Sequence, residues 1–277
     1  MQQHISFLGC GSMNGAILTG LLAAGLPAAQ VTATVRNPEK AASLSQRHGV
    51  AVLSSTEDPE ANPTAAAKAD VVLLGVKPVG ILDLAREISP ALKPGTVVIS
   101  VAAAISIDML EAALPAGQPV IRSMPNTPSS LGRGVLSISA GTSATAELMD
   151  QARSILSAAG TVVEIPEGQV DALSAVSGSG PAYAFYLAEA MAAAGVKLGL
   201  DEELAKLLAT QTVAGAGFML AEEGADATAL RKAVTSPNGT TESAIATFDD
   251  RGLRDIVAAG AKAAAERAAA ITRELGG

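Results

Sequence analysis

The sequence predicts an α/β fold in which an N-terminal Rossmann-type, doubly wound sheet is followed by a C-terminal all-helical domain. Three observations carry that expectation. Up to about residue 165, short β-branched runs alternate with helical stripes, and the connections between them are brief. A Gly-rich turn, FLGCGSMNGAI at 7–17, lies directly between the first strand and the first helix. After EIPEG, 164–168, strand patterns end and Ala-rich helical stretches take over.

The elements follow in order. HISFLG (4–9) is a short strand, and Ile17, Leu18, Leu21 and Leu22 then mark one face of a helix. VTATV (31–35) is a β-branched strand, a helix runs from Pro38 to His48, and VAVL (50–53) is a third strand. DVVLLGV (70–76) is apolar throughout, as a strand covered on both faces should be. A helix over 79–88, the strand TVVISV (96–101), a helix over 107–113 and the strand PVIRSM (119–124) come next. VLSISA (135–140), a helix over 144–158 and TVVEI (161–165) complete a mainly parallel first domain, placed at 1–165. The second domain, 166–277, holds helices in DALSAVSG, PAYAFYLAEAMAAAG, DEELAKLLATQTVAGAGFML and ALRKAV, with a last one over 253–274.

Composition narrows the function. Hydrophobic residues make up 49% and charged ones 17%, enough for a large core and too apolar for long disorder. A net charge of −8 and only 2% aromatics leave neither a basic face nor stacking platforms for nucleic acid. One cysteine rules out an internal disulfide framework and suits a reducing compartment. The chain enters its first strand without a basic leader, and no apolar run reaches the length of a membrane span. The expectation is a cytoplasmic protein with no nucleic-acid and no membrane partner. His4 and His48 read as structural, and no metal-spaced cluster is present.

The chemistry-bearing residues sit in the turns. Gly9 permits the tight turn and Gly11 lets the backbone approach a pyrophosphate at the helix N-terminus. Asn14 stands where the third glycine of G-x-G-x-x-G belongs. Cys10, between the glycines, reads as a small side chain tucked under the loop. The second strand ends in Arg36 rather than in the carboxylate an NAD site wants, so NADP(H) is the expected cofactor and NAD(H) the alternative. Val76, Lys77 and Pro78 follow a central strand and belong near the nicotinamide half; Lys77 reads equally well as a snorkelling surface lysine. RSMPNTPSSLGRG (122–134) is either an ordered surface loop or one that faces substrate or cofactor. In SGSGPAY (177–183), glycines flank Ser179 and open the backbone to a ligand, while Pro181 starts a helix. In TSPNGTT (235–241), Asn238-Gly239 makes a turn and Thr240 or Thr241 can cap the next helix. Amides around 239–242 with the hydroxyls of Ser236 and Thr241 make a carboxylate cradle, and one cap would need only one hydroxyl.

These motifs together resemble the pyrroline-5-carboxylate reductase family. The resemblance spans nearly the whole chain: GCGSM near the start, Asn62 ahead of Asp70, VKP at 76–78, MPNTP at 124–128, GSGPAY at 178–183 and VTSPNGTT at 234–241. It implies an NAD(P)H-dependent imine reductase that completes proline biosynthesis. It also implies that the helical domain is a dimerisation domain, giving a homodimer or a dimer-based decamer. By resemblance, Gly9, Gly11, Ser12 and Met13 hold the cofactor phosphates, Arg36 and Asn37 face the 2′-phosphate, and Asn62 faces the adenosine ribose. Val76, Lys77 and Pro78, with Ala102, Ala103 and Ala104, line the nicotinamide. Ser236, Gly239 and Thr240, with Ser179, bind the substrate 1-pyrroline-5-carboxylate. Thr241 bonds its ring nitrogen, and Lys77 joins it as a candidate catalytic group. Three positions depart from the family pattern: Asn14, Asn238 in SPNGTT, and SVAAAI, which lacks the glycine common in that loop. A β-hydroxy-acid dehydrogenase would want a helix lysine that no matching turn offers, and a nucleotide sensor would have no use for TSPNGTT.

Overall fold

The computed structural model describes residues 3–276. By contacts the chain divides into two compact units, Met1–Gly178 with Ala265–Gly277, and Ser179–Ala264. In the first unit the strands are β1 (Ile5–Leu8), β2 (Val31–Val35), β3 (Ala51–Ser54), β4 (Val71–Leu74), β5 (Val97–Ser100), β6 (Val120–Met124), β7 (Gly134–Ala140) and β8 (Gly160–Glu164). They form one eight-stranded sheet in the order β3-β2-β1-β4-β5-β6-β7-β8. Six of its seven pairings are parallel, with Ile5 aligned to both Val31 and Val71. β1 and β4 run parallel, but strand order reverses there: β2 and β3 are added on one side of β1, and β4 onwards on the other, which makes it the switch point where such folds bind ligands. β6 and β7 run antiparallel because the connection at 125–133 is shorter than the dozen or so residues a parallel crossover requires.

The central strands alternate between two cores. Phe7, Leu73 and Ile99 enter one with Ile17, Leu18 and Ile155; Leu8, Leu74 and Val98 enter the other with Ile81, Ile88 and Leu110. That alternation puts α1 (Ser12–Ala23), α2 (Pro38–His48) and α6 (Ala146–Leu156) on one face. α3 (Ala61–Lys68), α4 (Ile81–Ile88) and α5 (Ile107–Ala113) cover the other. Several starts follow from local chemistry. Asn37, Ser106 and Thr145 accept N–H bonds as caps of α2, α5 and α6, and Gly49 closes α2 in the left-handed region. α3 has no counterpart in the sequence expectation. Pro63 falls in its first turn, where a missing N–H costs nothing, and the buried face is built from Ala61, Ala65 and Ala66.

Residues beyond 165 remain tied to the sheet unit, whereas periodicity places the domain limit there. Arg122 of β6 is buried and its Nη1 lies 2.8 Å from Glu167 Oε1; the side chains are 6% and 29% exposed. The same oxygen accepts the Ile107 N–H at 2.8 Å, at the start of α5. Val170 of α7 (Val170–Leu173) and Ala175, in the π-helical turn Ser174–Gly178, are buried as well. One carboxylate thus joins β6, α5 and the segment leading into α7.

The second unit is helical: α8 (Gly180–Lys197), α9 (Glu202–Leu220), α10 (Ala227–Ala233), α11 (Thr240–Asp250) and the start of α12 (Leu253–Gly276). α8 and α9 pack through small residues, Gly195 lying against Ala205 and Leu200. Among the described residues of this unit only Ala205 and Ala209 are buried. Phe185, Tyr186, Phe218 and Ile256 are 64%, 73%, 62% and 63% exposed, far more apolar surface than a five-helix unit of a solitary soluble chain leaves open.

Glu167→Ala removes the partner of a buried guanidinium whose Nε already has none. We expect it to destabilise the protein by about 3 kcal/mol, the low end for a broken buried pair because Glu167 is partly exposed. Urea unfolding measures the loss.

Candidate functional site

Three strand ends converge on the first turn. Gly9 has φ 73°; its N–H donates to Thr34 Oγ1 at 3.1 Å, and Cys10 N–H donates to Thr34 O at 2.7 Å, so β2 grips one side. From just past β4, Val76 Cγ1 occupies the space that a Cβ on Gly9 would need. Gly11 N–H turns inward to Gly9 O at 2.7 Å. Gly11 is also the N-cap of α1, which carries no side-chain cap, so the first helical amides, at Ser12 and Met13, are left for an anion. Cys10 is buried, and burial pushes its thiol up to about 11, an inert small side chain under the loop.

Arg36 follows β2, is exposed, and has no ion pair among the described residues, as a cation waiting for an external anion would be. Its carbonyl is held by Ser54 Oγ at 2.9 Å and Thr56 Oγ1 at 2.6 Å, which fixes the strand end. Asn37 spends its side-chain oxygen on Lys40 N–H at 3.0 Å, so its amide nitrogen is what remains for a ligand. Asn62 sits in the first turn of α3 and donates to Glu87 Oε1 at 3.0 Å. Val76, Lys77 and Pro78 follow β4, with Lys77 exposed at the start of a short 3-10 turn. Ala102, Ala103 and Ala104 follow β5, and Ala104 has φ 63°. Alanine there costs about 1–2 kcal/mol. Glycine would lose a buried methyl, about 0.8 kcal/mol, and add about 0.5–1 kcal/mol of chain entropy. The terms nearly cancel, so the loop tolerates AAA.

The cofactor-side residues therefore gather where the strands end, apart from Asn62 on α3. This donor set fits a phosphorylated dinucleotide: uncapped amides at a helix start for the pyrophosphate and an unpaired guanidinium one strand away for a further phosphate. The loop at 122–134 turns its Asn126 inward: Oδ1 accepts Val135 N–H and Nδ2 donates to Ser177 O, both at 2.9 Å. Spacing alone did not reveal these two bonds, although it singled out the loop. His4 is structural, its Nε2 2.8 Å from Thr32 Oγ1, and burial holds its pKa down against the opposing pull of Asp70. No metal-binding cluster exists among the described residues.

Ser179, Ser236, Gly239, Thr240 and Thr241 belong to the second unit. Ser179 is the N-cap of α8 and makes no side-chain cap bond. The 235–241 turn is tightly built. Asn238 takes φ 59°, its N–H donates to Glu242 Oε2 at 2.7 Å, and Gly239 N–H donates to Ser236 O at 3.0 Å. A Cβ on Gly239 would lie 2.9 Å from that carbonyl oxygen. The expected threonine cap is corrected: Gly239 is the N-cap, and Thr240 and Thr241 occupy the first two helical positions. The left-handed residue at 238 completes the turn one residue early, which leaves the α11 start without a side-chain cap.

Residues 167–271 match the family model described as pyrroline-5-carboxylate reductase dimerisation, and residues 4–104 match one described as NADP oxidoreductase, coenzyme F420-dependent. The chain is 41% identical to the pyrroline-5-carboxylate reductase of Pseudomonas aeruginosa, over 99% of this chain and 98% of that protein. Identity to the Escherichia coli K12 enzyme of the same name is 35%, over 93% and 94%. Among solved structures, a pyrroline-5-carboxylate reductase from Coxiella burnetii superposes with TM-score 0.91 at 36% identity, covering 98% of this chain and 99% of that one. A Plasmodium falciparum pyrroline carboxylate reductase with NADP bound gives 0.80 at 26% identity, covering 98% of each chain.

Gly9→Ala puts a left-handed alanine and an overlap with Val76 at the same atom. We expect about 3 kcal/mol of lost stability even without cofactor, read by chemical denaturation.

Proposed function

The chain belongs to the pyrroline-5-carboxylate reductase family, and from that premise we propose that it reduces the C=N bond of 1-pyrroline-5-carboxylate to L-proline, the last step of proline biosynthesis. The single observation that carries the substrate is the 235–241 turn. Its left-handed Asn238 and unsubstituted Gly239 leave an uncapped helix start with Ser236 and Thr241 beside it. Amides at such a start receive a carboxylate.

Each residue then has a task. Ser12 and Met13 amides bind the pyrophosphate, Arg36 and Asn37 the 2′-phosphate of NADPH, and Asn62 the adenosine ribose once its bond to Glu87 is exchanged. The reduced nicotinamide, when bound, supplies the hydride. Val76, Lys77, Pro78 and Ala102 to Ala104 shape the surface on which that ring rests and exclude water from it. Lys77 adds a positive charge on that side. Ser236, Thr240 and Ser179 hold the carboxylate, Gly239 closes the turn through its N–H to Ser236 O and keeps it clear of a side chain, and Thr241 directs its hydroxyl at the ring nitrogen. An imine is basic enough to bind as its cation, so orientation by a neutral hydroxyl suffices and no histidine is needed.

The dimerisation domain matched at 167–271 is one by which chains associate, and the exposed apolar helices agree with that. The homodimer, its further assembly into a decamer, and a cytoplasmic location are part of the proposal. No described helix is long and apolar enough to cross a membrane.

Thr241→Ala should lower kcat by about 10²-fold while the affinity for NADPH stays unchanged, which stopped-flow fluorescence and steady-state assays separate. An unaltered kcat would remove Thr241 from the mechanism. Arg36→Ala should raise KM for NADPH by about tenfold or more and leave KM for NADH alone, since only the former carries the 2′-phosphate. Following NADPH oxidation with pyrroline-5-carboxylate, and then with an oxo acid, tests the reaction itself.

A further inference from the structure

We propose that Asn14 is a positioning residue for the cofactor and acts as one half of a size-matched pair with Gly75. The inference rests on the reading that the turn at 9–13 takes a nicotinamide dinucleotide. Asn14 lies in the first turn of α1 with its side chain wholly buried. Its Nδ2 donates to Leu73 O at 3.2 Å and Leu8 O at 3.3 Å, and lies 3.5 Å from Gly9 O. Those carbonyls belong to β4, β1 and the glycine turn, so one amide ties all three together. Its orientation is fixed, because a flipped carboxamide would set an oxygen against carbonyl oxygens.

In a G-x-G-x-x-G turn the third glycine lets the helix lie close on the strand. Here that position carries a side chain, and the room for it comes from across the gap. A Cβ on Gly75 would overlap Nδ2 and Cγ of Asn14 and lie 2.7 Å from its Oδ1. The glycine stands just past the end of β4 instead of on the helix, and the space it leaves holds a hydrogen-bond donor. The Oδ1 has no partner although buried, so the contribution comes from the donor side. This side chain sets how far the Ser12 and Met13 amides stand from the β4 end that carries Val76. Cofactor sites tolerate displacements of only about half an ångström.

Four proteins test the pair: wild type, Asn14→Gly, Gly75→Ala and the double variant. NADPH binding is read by fluorescence well below the melting temperature, alongside KM for NADPH, KM for the imino acid and thermal melts. Asn14→Gly should weaken NADPH binding and raise its KM by about tenfold, with the imino-acid KM within about twofold of wild type. Gly75→Ala should be more damaging, or fail to fold, in the wild-type background, yet change nothing further once Asn14 is glycine. Asn14→Gly binding NADPH like wild type, or raising both KM values equally, would overturn the positioning role. A Gly75→Ala defect that persists undiminished in the double variant, insolubility included, would overturn the pairing. A folded wild type that binds neither NADPH nor NADH would instead refute the cofactor reading and the positioning role with it, and the melts would still decide the pairing.

Discussion

Main chain is packed against main chain where β1, β2 and β4 end, and the cofactor side of the molecule depends on that crowding. The strands are buried on both faces, so their polar groups must be paired within the sheet or its turns. Thr34 meets the Gly9 and Cys10 amides from one side, and Val76 closes the other. A chain confined this way has one exit, through a left-handed Gly9 into α1. The helix start is therefore aimed outward by packing alone. Its uncapped first amides are a by-product of the way the sheet is closed.

The second unit solves a different problem with the same small residues. Its helices carry Ala, Leu and a few aromatics, and Gly195 against Ala205 shows how closely α8 and α9 approach. Small side chains bring backbones together but enclose little volume, so Phe185, Tyr186 and Phe218 stay outside. A surface of that kind is stable in water when an associating chain covers it, which fits the match to a dimerisation domain. The 235–241 turn is built by different means, hydrogen bonds rather than burial. Glu242 takes the Asn238 N–H, and Gly239 turns its own back to Ser236. The strain of a left-handed Asn238 is thus met locally.

Where sequence reasoning fell short, a distant group had supplied what the local sequence lacked. ANPTAAAK has neither a cap nor a strong apolar stripe, yet α3 forms because β1 accepts it: Ser6 Oγ reaches Ala65 O at 2.8 Å. The segment 166–178 begins the stretch matched by the dimerisation model, and its contacts with the sheet, Arg122 with Glu167 and Asn126 with Ser177 O, leave no mark in its periodicity. The described residues from Ala265 on count with the first unit, and Leu275 packs beside its core. Each of these contacts joins residues far apart in the chain.

All eight strands, the parallel sheet and the succession of helices after it could be read from the sequence alone, because periodicity and caps act within a few residues. The turns at Gly9 and in TSPNGTT were legible for the same reason: each is a local arrangement of residue types that favour a turn. Only the tertiary structure decided that Asn14 fits because Gly75 makes room, that Asn126 and Glu167 are anchors, and that α11 starts uncapped at Gly239. Those outcomes depend on which atoms meet across the sheet or across a turn, and volume exclusion and hydrogen-bond geometry act only between groups that folding has already brought together.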